Sequence, residues 1–263
     1  MIDHVLFEAV NIQAYPYQLP LFKQSFTLQL NSPFTIILGD NGSGKSSILK
    51  RLQGILKLIS IALPHQVKDD ILYDKGVKIS PSLGRLKGFY FESLKFINYV
   101  EYVKKELLDA KKELNRVDLE YKDKSAYAKM MAKGPFNKTI AELNHLYTKD
   151  LSTQSHGESY LDFFASRIKD NGIYLLDEPE TPLSTSNQLT LLSMIMDASQ
   201  KGCQFIIATH SPILASLPNA IIYEIKDKSI ERKDYDAVES FTLLKEFMNH
   251  KDHFLYHLTK KEK

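Results

Sequence analysis

Eight consecutive residues, Gly39-Asp40-Asn41-Gly42-Ser43-Gly44-Lys45-Ser46, set glycines, one lysine and one hydroxyl at the spacing G-x-x-x-x-G-K-S. Glycine backbones adopt positive φ and let successive N–H groups close around phosphate oxygens. A lysine at this place reaches the β- and γ-phosphates, and the serine after it offers an oxygen to Mg²⁺. The helix that follows, entered through Ser47, turns its positive end toward the anion. Further along, Asp177 and Glu178 close the apolar run Ile173-Tyr174-Leu175-Leu176, and carboxylates at a strand end lie where open α/β sheets take their ligands. Asp177 suits the Mg²⁺ shell. Glu178 suits orienting and polarising a water for in-line attack on a phosphoryl group. Together these residues have the chemistry of a Mg²⁺-dependent phosphoanhydride hydrolase.

The elements that must position them are legible in the pattern of apolar residues. Three β-branched or aromatic runs, VLFEAVNI, SFTLQL and FTIIL, are separated by Pro16, Pro20 and Asn31-Ser32-Pro33 and read as strands. After the glycine-rich loop, Ile48, Leu49, Leu52, Ile55, Leu56 and Ile59 recur at helical spacing. Residues 64–88 lose periodicity and read as a surface excursion. A helix is expected from Ser93 to about Val117, with Leu94, Ile97, Val100, Val103, Leu107, Leu114 and Val117 on one stripe, and helical or irregular chain to Lys149, punctuated at Gly134-Pro135. IYLLD is too short and too continuously apolar for a surface helix and reads as a buried parallel strand. A helix from Gln188 to Ser199, the strand QFIIA and a strand at about 220–225 follow in βαβ order. The expected organisation is one domain: an α/β body of about residues 1–63 and 166–263, with a mainly helical lobe of about 64–165 inserted in it.

At 263 residues, 43% hydrophobic and 25% charged, the chain has the composition of a soluble globular domain with a sizeable core, which excludes disordered and collagenous classes. Lys plus Arg total 34 against 32 acidic residues, a net charge of +2 that by itself argues neither for nor against nucleic acid. The basic stretch 104–149 also carries Glu106, Asp109, Glu113, Asp118, Glu120, Asp123 and Glu142, the interleaving of a solvated helix face. The single cysteine, Cys203, excludes an intrachain disulfide and a multi-cysteine zinc site. No stretch approaches the roughly 20 apolar residues that span a bilayer, and the N-terminus lacks the pattern of a secretory signal, so a cytoplasmic protein is expected.

With the phosphate loop at 39–46 and LLDEPE at 175–180, the chain resembles an ATP-binding-cassette (ABC) type ATPase. Ser155-His156-Gly157-Glu158 stands where that family has its signature, with Gln154 in place of the usual leucine. Leu183-Ser184 stands at the D-loop, with serine for aspartate. Ala208-Thr209-His210-Ser211-Pro212 is similar to the switch-histidine segment, and Glu92, in Phe89-Tyr90-Phe91-Glu92-Ser93, occupies the Q-loop position. The runs HGESYLDFF, IYLLDEPETPLS, QFIIATHSPILAS and ESFTLLKEFMNHKDHFL narrow the resemblance to small stand-alone bacterial ATPases of the AAA-family or SMC-like group.

The resemblance implies a P-loop fold of ABC-ATPase type, with a mixed sheet flanked by helices, and ATP with Mg²⁺ as cofactors. It implies a head-to-tail homodimer around two ATP molecules. Gly39, Asp40, Asn41, Gly42, Ser43, Gly44, Lys45, Ser46 and Ser47 would bind nucleotide in one subunit; Ser155 and Gly157 would meet the γ-phosphate held by the other. His210 would sense that phosphate in cis; Lys45, Glu178 and His210 would be the catalytic residues, and Ser46, Asp177 and Glu92 would stand near the metal. An aromatic ring before the phosphate loop would stack on adenine; Tyr15 and Tyr17 are the candidates, and either could equally be a packing residue. The output expected is a switch or clamp on DNA or a protein partner in genome maintenance or phage defence; the alternative is the ATP-binding subunit of a membrane transporter.

Overall fold

Strands that are apolar on both faces must be covered on both faces, and five such runs build the centre of the molecule. They are β3 (Phe34–Gly39), β6 (Gly88–Glu92), β7 (Ile173–Asp177), β8 (Gln204–Ala208) and β9 (Ile221–Lys226). The computed structural model describes residues 1–61, 75–81, 86–144, 156–226 and 228–259. With β4 (Ile59–Ile61) and β10 (Ser229–Lys233) the five form a seven-stranded sheet in the order β10-β9-β3-β8-β7-β6-β4. All neighbours are parallel except β10, which turns back antiparallel along β9. The mixed sheet flanked by helices expected from the sequence is therefore present.

Alternation along each strand divides the core in two. Ile36, Leu38, Phe89, Phe91, Tyr174, Leu176, Phe205 and Ile207 face one side. There they meet α2 (Ser93–Glu120), α4 (His156–Arg167), α5 (Thr185–Gln200) and α6 (Pro212–Ala215). Ile37, Tyr90, Ile173, Leu175 and Ile206 face the other side, toward α1 (Lys45–Leu56). That side is closed by a small antiparallel sheet, β2-β1-β5, of β1 (His4–Phe7), β2 (Phe26–Gln29) and β5 (Val77–Ser80). The phosphate-loop helix is thus gripped between the two sheets.

The inserted lobe is narrower than expected. Residues 77–80 and 88–92, inside the span assigned to it, are strands of the small and large sheets. The aromatic run Phe89-Tyr90-Phe91 is buried on both faces of the sheet, which places it in the body rather than in a helical lobe. What projects is α2 packed on α3 (Ala126–Asn144), where Asp118 receives both Lys129 and Lys133 at 2.6 Å. Pro135 lies within α3 rather than ending it, on an exposed stretch where water can take the carbonyl that proline leaves without a donor. The buried stripe of α2 is Phe96, Val100, Val103, Leu107, Ala110 and Val117; Leu94, expected on it, is exposed. Phe96 takes that place because its ring lies 4.8–5.3 Å from those of Phe91, Tyr160 and Phe163, an aromatic cluster that ties the lobe to the body. The chain ends in α7 (Glu239–Asn249) and α8 (Lys251–Thr259). Among the described residues no helix is long and apolar enough to cross a membrane.

Candidate active site

Three adjacent strands of the large sheet deliver the chemistry to one place. The glycine-rich loop leaves β3, the carboxylates end β7, and His210 follows β8. β3 and β7 are both neighbours of β8, so these strand ends lie side by side. Gly39 (φ 146°) and Gly44 (φ 112°) carry the loop through left-handed backbone, and a Cβ on Gly39 would meet the Ile225 carbonyl and Ser43 Oγ at 2.8 Å. Gly44 delivers the chain into α1, whose first residue is Lys45.

The Lys45 side chain folds back across the loop. Its ammonium donates to the carbonyls of Gly39 (2.7 Å) and Asp40 (3.1 Å) and to Nε2 of His210 (2.9 Å). An ammonium has no acceptor, so Nε2 accepts and the imidazole proton sits on Nδ1. Glu178 Oε1 lies 3.7 Å from the same Nε2, beyond hydrogen-bond reach, and that nitrogen has no proton to offer it. Burial lowers the Lys45 pKa, against the raising influence of Glu178 and Asp177. Ser43 Oγ, inside the loop, is shielded from solvent and makes no hydrogen bond among the described residues. A buried donor without a partner costs free energy, and a phosphate oxygen in the loop would satisfy it.

Glu178 holds a left-handed backbone (φ 49°), uncommon for a residue with a side chain. Its N–H donates to the Ala208 carbonyl (2.8 Å), and its own carbonyl accepts from Ser93 Oγ (2.5 Å). This turn swings the Glu178 carboxylate toward His210. Glu180 braces the other side, its Oε1 accepting from the His210 backbone N–H at 2.7 Å.

Asp177 is buried, with Ser46 Oγ donating to Oδ1 (3.1 Å) and the Tyr90 hydroxyl to Oδ2 (3.0 Å). One hydroxyl and one carboxylate oxygen are what Mg²⁺ commonly takes from protein when phosphate and water complete its shell. Burial raises the Asp177 pKa from 3.8 to about 6, against the lowering hydrogen bonds from Ser46 and Tyr90. The folded carboxyl thus holds its proton to higher pH than the unfolded one. Its contribution to stability is fully present below pH 3.8 and is lost as pH rises through about 6. At pH 7.5, Asp177→Asn is expected to stabilise the nucleotide-free protein by about 3 kcal/mol. The check is the difference in unfolding free energy between variant and wild type from pH 4 to 7.5. A difference that does not grow with pH would contradict the assignment.

Of the other expected site residues, Ser47 Oγ lies 2.7 Å from the Tyr15 hydroxyl. Tyr15 is half exposed beside the loop. Tyr17 is buried (1% exposed) beneath the Arg51 guanidinium and so is not available for stacking on a base. Glu92 is in register with Asp177 on the next strand, but its Oε2 is already taken by Lys50 (3.4 Å), Lys95 (3.3 Å) and the Tyr90 hydroxyl (3.2 Å). These contacts favour an ion-paired brace over a metal ligand. Ser184 caps α5 by accepting from the Asn187 N–H (3.3 Å). Gly157 lies in the first turn of α4; Ser155 lies outside the described residues. The sequence reading missed Tyr90, Ser93 and Glu180. The one local signal for Tyr90 was a hydroxyl-bearing ring in an otherwise apolar strand. Also unread was the wall that α7 gives to a cleft of about 320 Å³ beside the loop, where Glu239 and Phe241 face Gly39, Asp40 and His210.

The family described as "AAA domain, putative AbiEii toxin, Type IV TA system" matches residues 83–216, just over half of the chain. The match holds Asp177, Glu178 and His210 and begins after the phosphate loop. A "Probable iron chelatin transport ATP-binding protein" of Helicobacter pylori (strain 26695) is 27% identical over 227 residues, 82% of this chain and 81% of that protein. A "Putative ABC transporter ATP-binding protein" of Pyrococcus horikoshii is 27% identical over 231 residues, 85% of this chain and 78% of that protein. Among solved structures, a nucleotide-free ATP-binding cassette from an ABC transporter aligns over 92% of this chain and 96% of its own, at 15% identity and a TM-score of 0.50. At that identity the likeness shows the fold, which is that of ABC-type ATPases.

Proposed function

The chain belongs to this AAA-domain family and has the ABC-type ATPase fold, and from that premise we propose that it binds and hydrolyses Mg²⁺-ATP at a site completed by a second copy. The observation that carries the reading is the meeting of Lys45 and Glu178 on His210, whose Nε2 lies 2.9 Å from the Lys45 ammonium and 3.7 Å from the Glu178 carboxylate, beside the Ser46–Asp177 pair. In this reading Lys45 exchanges the Gly39 and Asp40 carbonyls for β- and γ-phosphate oxygens, and Ser43 gives its unpaired hydroxyl to the same phosphates. Ser46 and Asp177 would hold Mg²⁺, which would neutralise developing charge on the phosphates. Glu178 orients the attacking water, and His210, released by Lys45, meets the γ-phosphate. Ser155 and Gly157 of each copy close the site of the other.

The output we propose is a nucleotide-driven switch or clamp acting on DNA or a protein partner, in genome maintenance or phage defence. The family description, which names a toxin of a type IV toxin–antitoxin system, supports the defence setting. The transporter reading has its own support in the names of the relatives. Glu92 in place of glutamine and Ser184 in place of aspartate, both departures from the transporter pattern, weigh against it.

The test is steady-state phosphate release from ATP by the purified chain, with and without duplex DNA, at low and physiological salt. Release that requires Mg²⁺ is expected. Stimulation by DNA that survives physiological salt favours a DNA-acting machine, because non-specific phosphate contacts weaken steeply with salt. Hydrolysis indifferent to DNA moves the output to a protein partner. A chain that binds ATP and releases no phosphate contradicts the proposal.

A further inference from the structure

Arg51 lies on α1, six residues beyond Lys45, and is wholly shielded from solvent (0% exposed). Its guanidinium stands over the rings of Phe22 at 4.6 Å, Tyr17 at 5.0 Å and Phe7 at 5.2 Å. Nη2 donates to the Lys75 carbonyl (2.5 Å), while Nε and Nη1 are buried with no hydrogen-bond partner among the described residues. Among the described residues no carboxylate pairs with it. Such a cation is a costly way to fill a core, and a leucine or methionine would do so without the desolvation penalty. The attraction of three ring faces for a cation offsets part of that penalty. The arrangement therefore calls for a task that an apolar filler would not perform.

Tyr17 and Phe22 both lie in the segment that joins β1 to β2, and the same segment carries Tyr15 two residues before Tyr17. The Tyr15 hydroxyl meets Ser47 Oγ in the first turn of α1. Ser47 and Arg51 are four residues apart and so lie on one face of the helix, one turn above the other. The segment is thus fastened to the phosphate-loop helix at two heights, by Tyr15 near the loop and by Tyr17 a turn below. Pro16 joins the two rings with a fixed φ. Tyr15 keeps 54% of its surface exposed beside the loop.

We infer that Arg51 is a positioning residue for the nucleobase: its hold on Tyr17 fixes the Tyr15 ring at the mouth of the phosphate loop as the platform on which a purine stacks. The inference rests on the nucleotide reading above and adds how base recognition is anchored. A ring reads the face of a base and not its edge, so the device acts alike on ATP and GTP and not at all on a triphosphate without a base.

The test is calorimetric binding of Mg²⁺-ATP, Mg²⁺-GTP and Mg²⁺-tripolyphosphate to the full chain and to Arg51→Met, Arg51→Lys and Tyr15→Ala. Arg51→Met and Tyr15→Ala are each expected to weaken ATP and GTP by about tenfold, the size of one base–ring contact, with tripolyphosphate changed by less than about twofold. Arg51→Lys, which keeps a cation over the rings, restores most of the loss. Should Arg51→Met fail to fold, Tyr17→Leu removes the same contact from the other side with the same expected pattern. Equal weakening of ATP and tripolyphosphate would mean that Arg51 acts through the helix alone, and unchanged ATP affinity would mean that it holds nothing of use; either overturns the inference. If the unmodified chain binds none of the three ligands, the phosphate-site reading itself falls and this inference falls with it.

Discussion

Lys45→Ala is expected to lower affinity for Mg²⁺-ATP by about a hundredfold or more, the loss that follows removal of a buried charge-assisted contact to phosphate. The side chain is 4% exposed, and its ammonium is bound to two loop carbonyls and to His210. Those partners are neutral acceptors that a triphosphate, with its full negative charges, outcompetes. Alanine removes the ammonium that folds across the loop and also frees His210 Nε2. The variant should therefore fold, bind nucleotide weakly, and no longer hold His210 beside Glu178. Thermal unfolding checks the first point and calorimetric titration with Mg²⁺-ATP the second. An affinity within about twofold of the unmodified chain would remove the phosphate-loop assignment.

Much of the site could be read from the sequence because its parts are local. G-x-x-x-x-G-K-S is one continuous turn whose residue types each have a backbone or charge reason, and IYLLD and QFIIA are runs too short and apolar to be anything but buried strands. What escaped depends on which strand lies beside which. Tyr90 matters because β6 pairs with β7, which sets its hydroxyl against Asp177; no local pattern in Phe89-Tyr90-Phe91 tells which neighbour it will have. Ser93 matters because the start of α2 passes the Glu178 carbonyl. Residues 64–88 misled for a similar reason: Val77–Ser80 finds its partner in β1, about seventy residues earlier. Tyr15 and Tyr17, equivalent on paper, are told apart by burial: Tyr17 lies beneath Arg51 and Tyr15 stays at the surface.

The second large effect concerns Glu178. Its turn is locked by Ser93 and Ala208, and its carboxylate faces His210 at 3.7 Å. Glutamine keeps the shape and can still touch a water, but it cannot take up or attract the proton that the water must lose. A positioned base of this kind is worth roughly a hundredfold to ten-thousandfold in rate, so Glu178→Gln should bind ATP normally and scarcely turn it over. If ATP is the joint between two copies, blocking its hydrolysis makes the joint persist. Removing the negative charge beside the triphosphate acts in the same direction.

The central claim is that ATP bound at the phosphate loop is the adhesive of a two-copy site. It is tested most directly by the mass of Glu178→Gln measured by light scattering with saturating Mg²⁺-ATP, with ADP and with no nucleotide. The expected result is a mass of two chains with ATP and of one chain in the other two conditions. One chain throughout, in a sample shown by calorimetry to hold ATP, would contradict it.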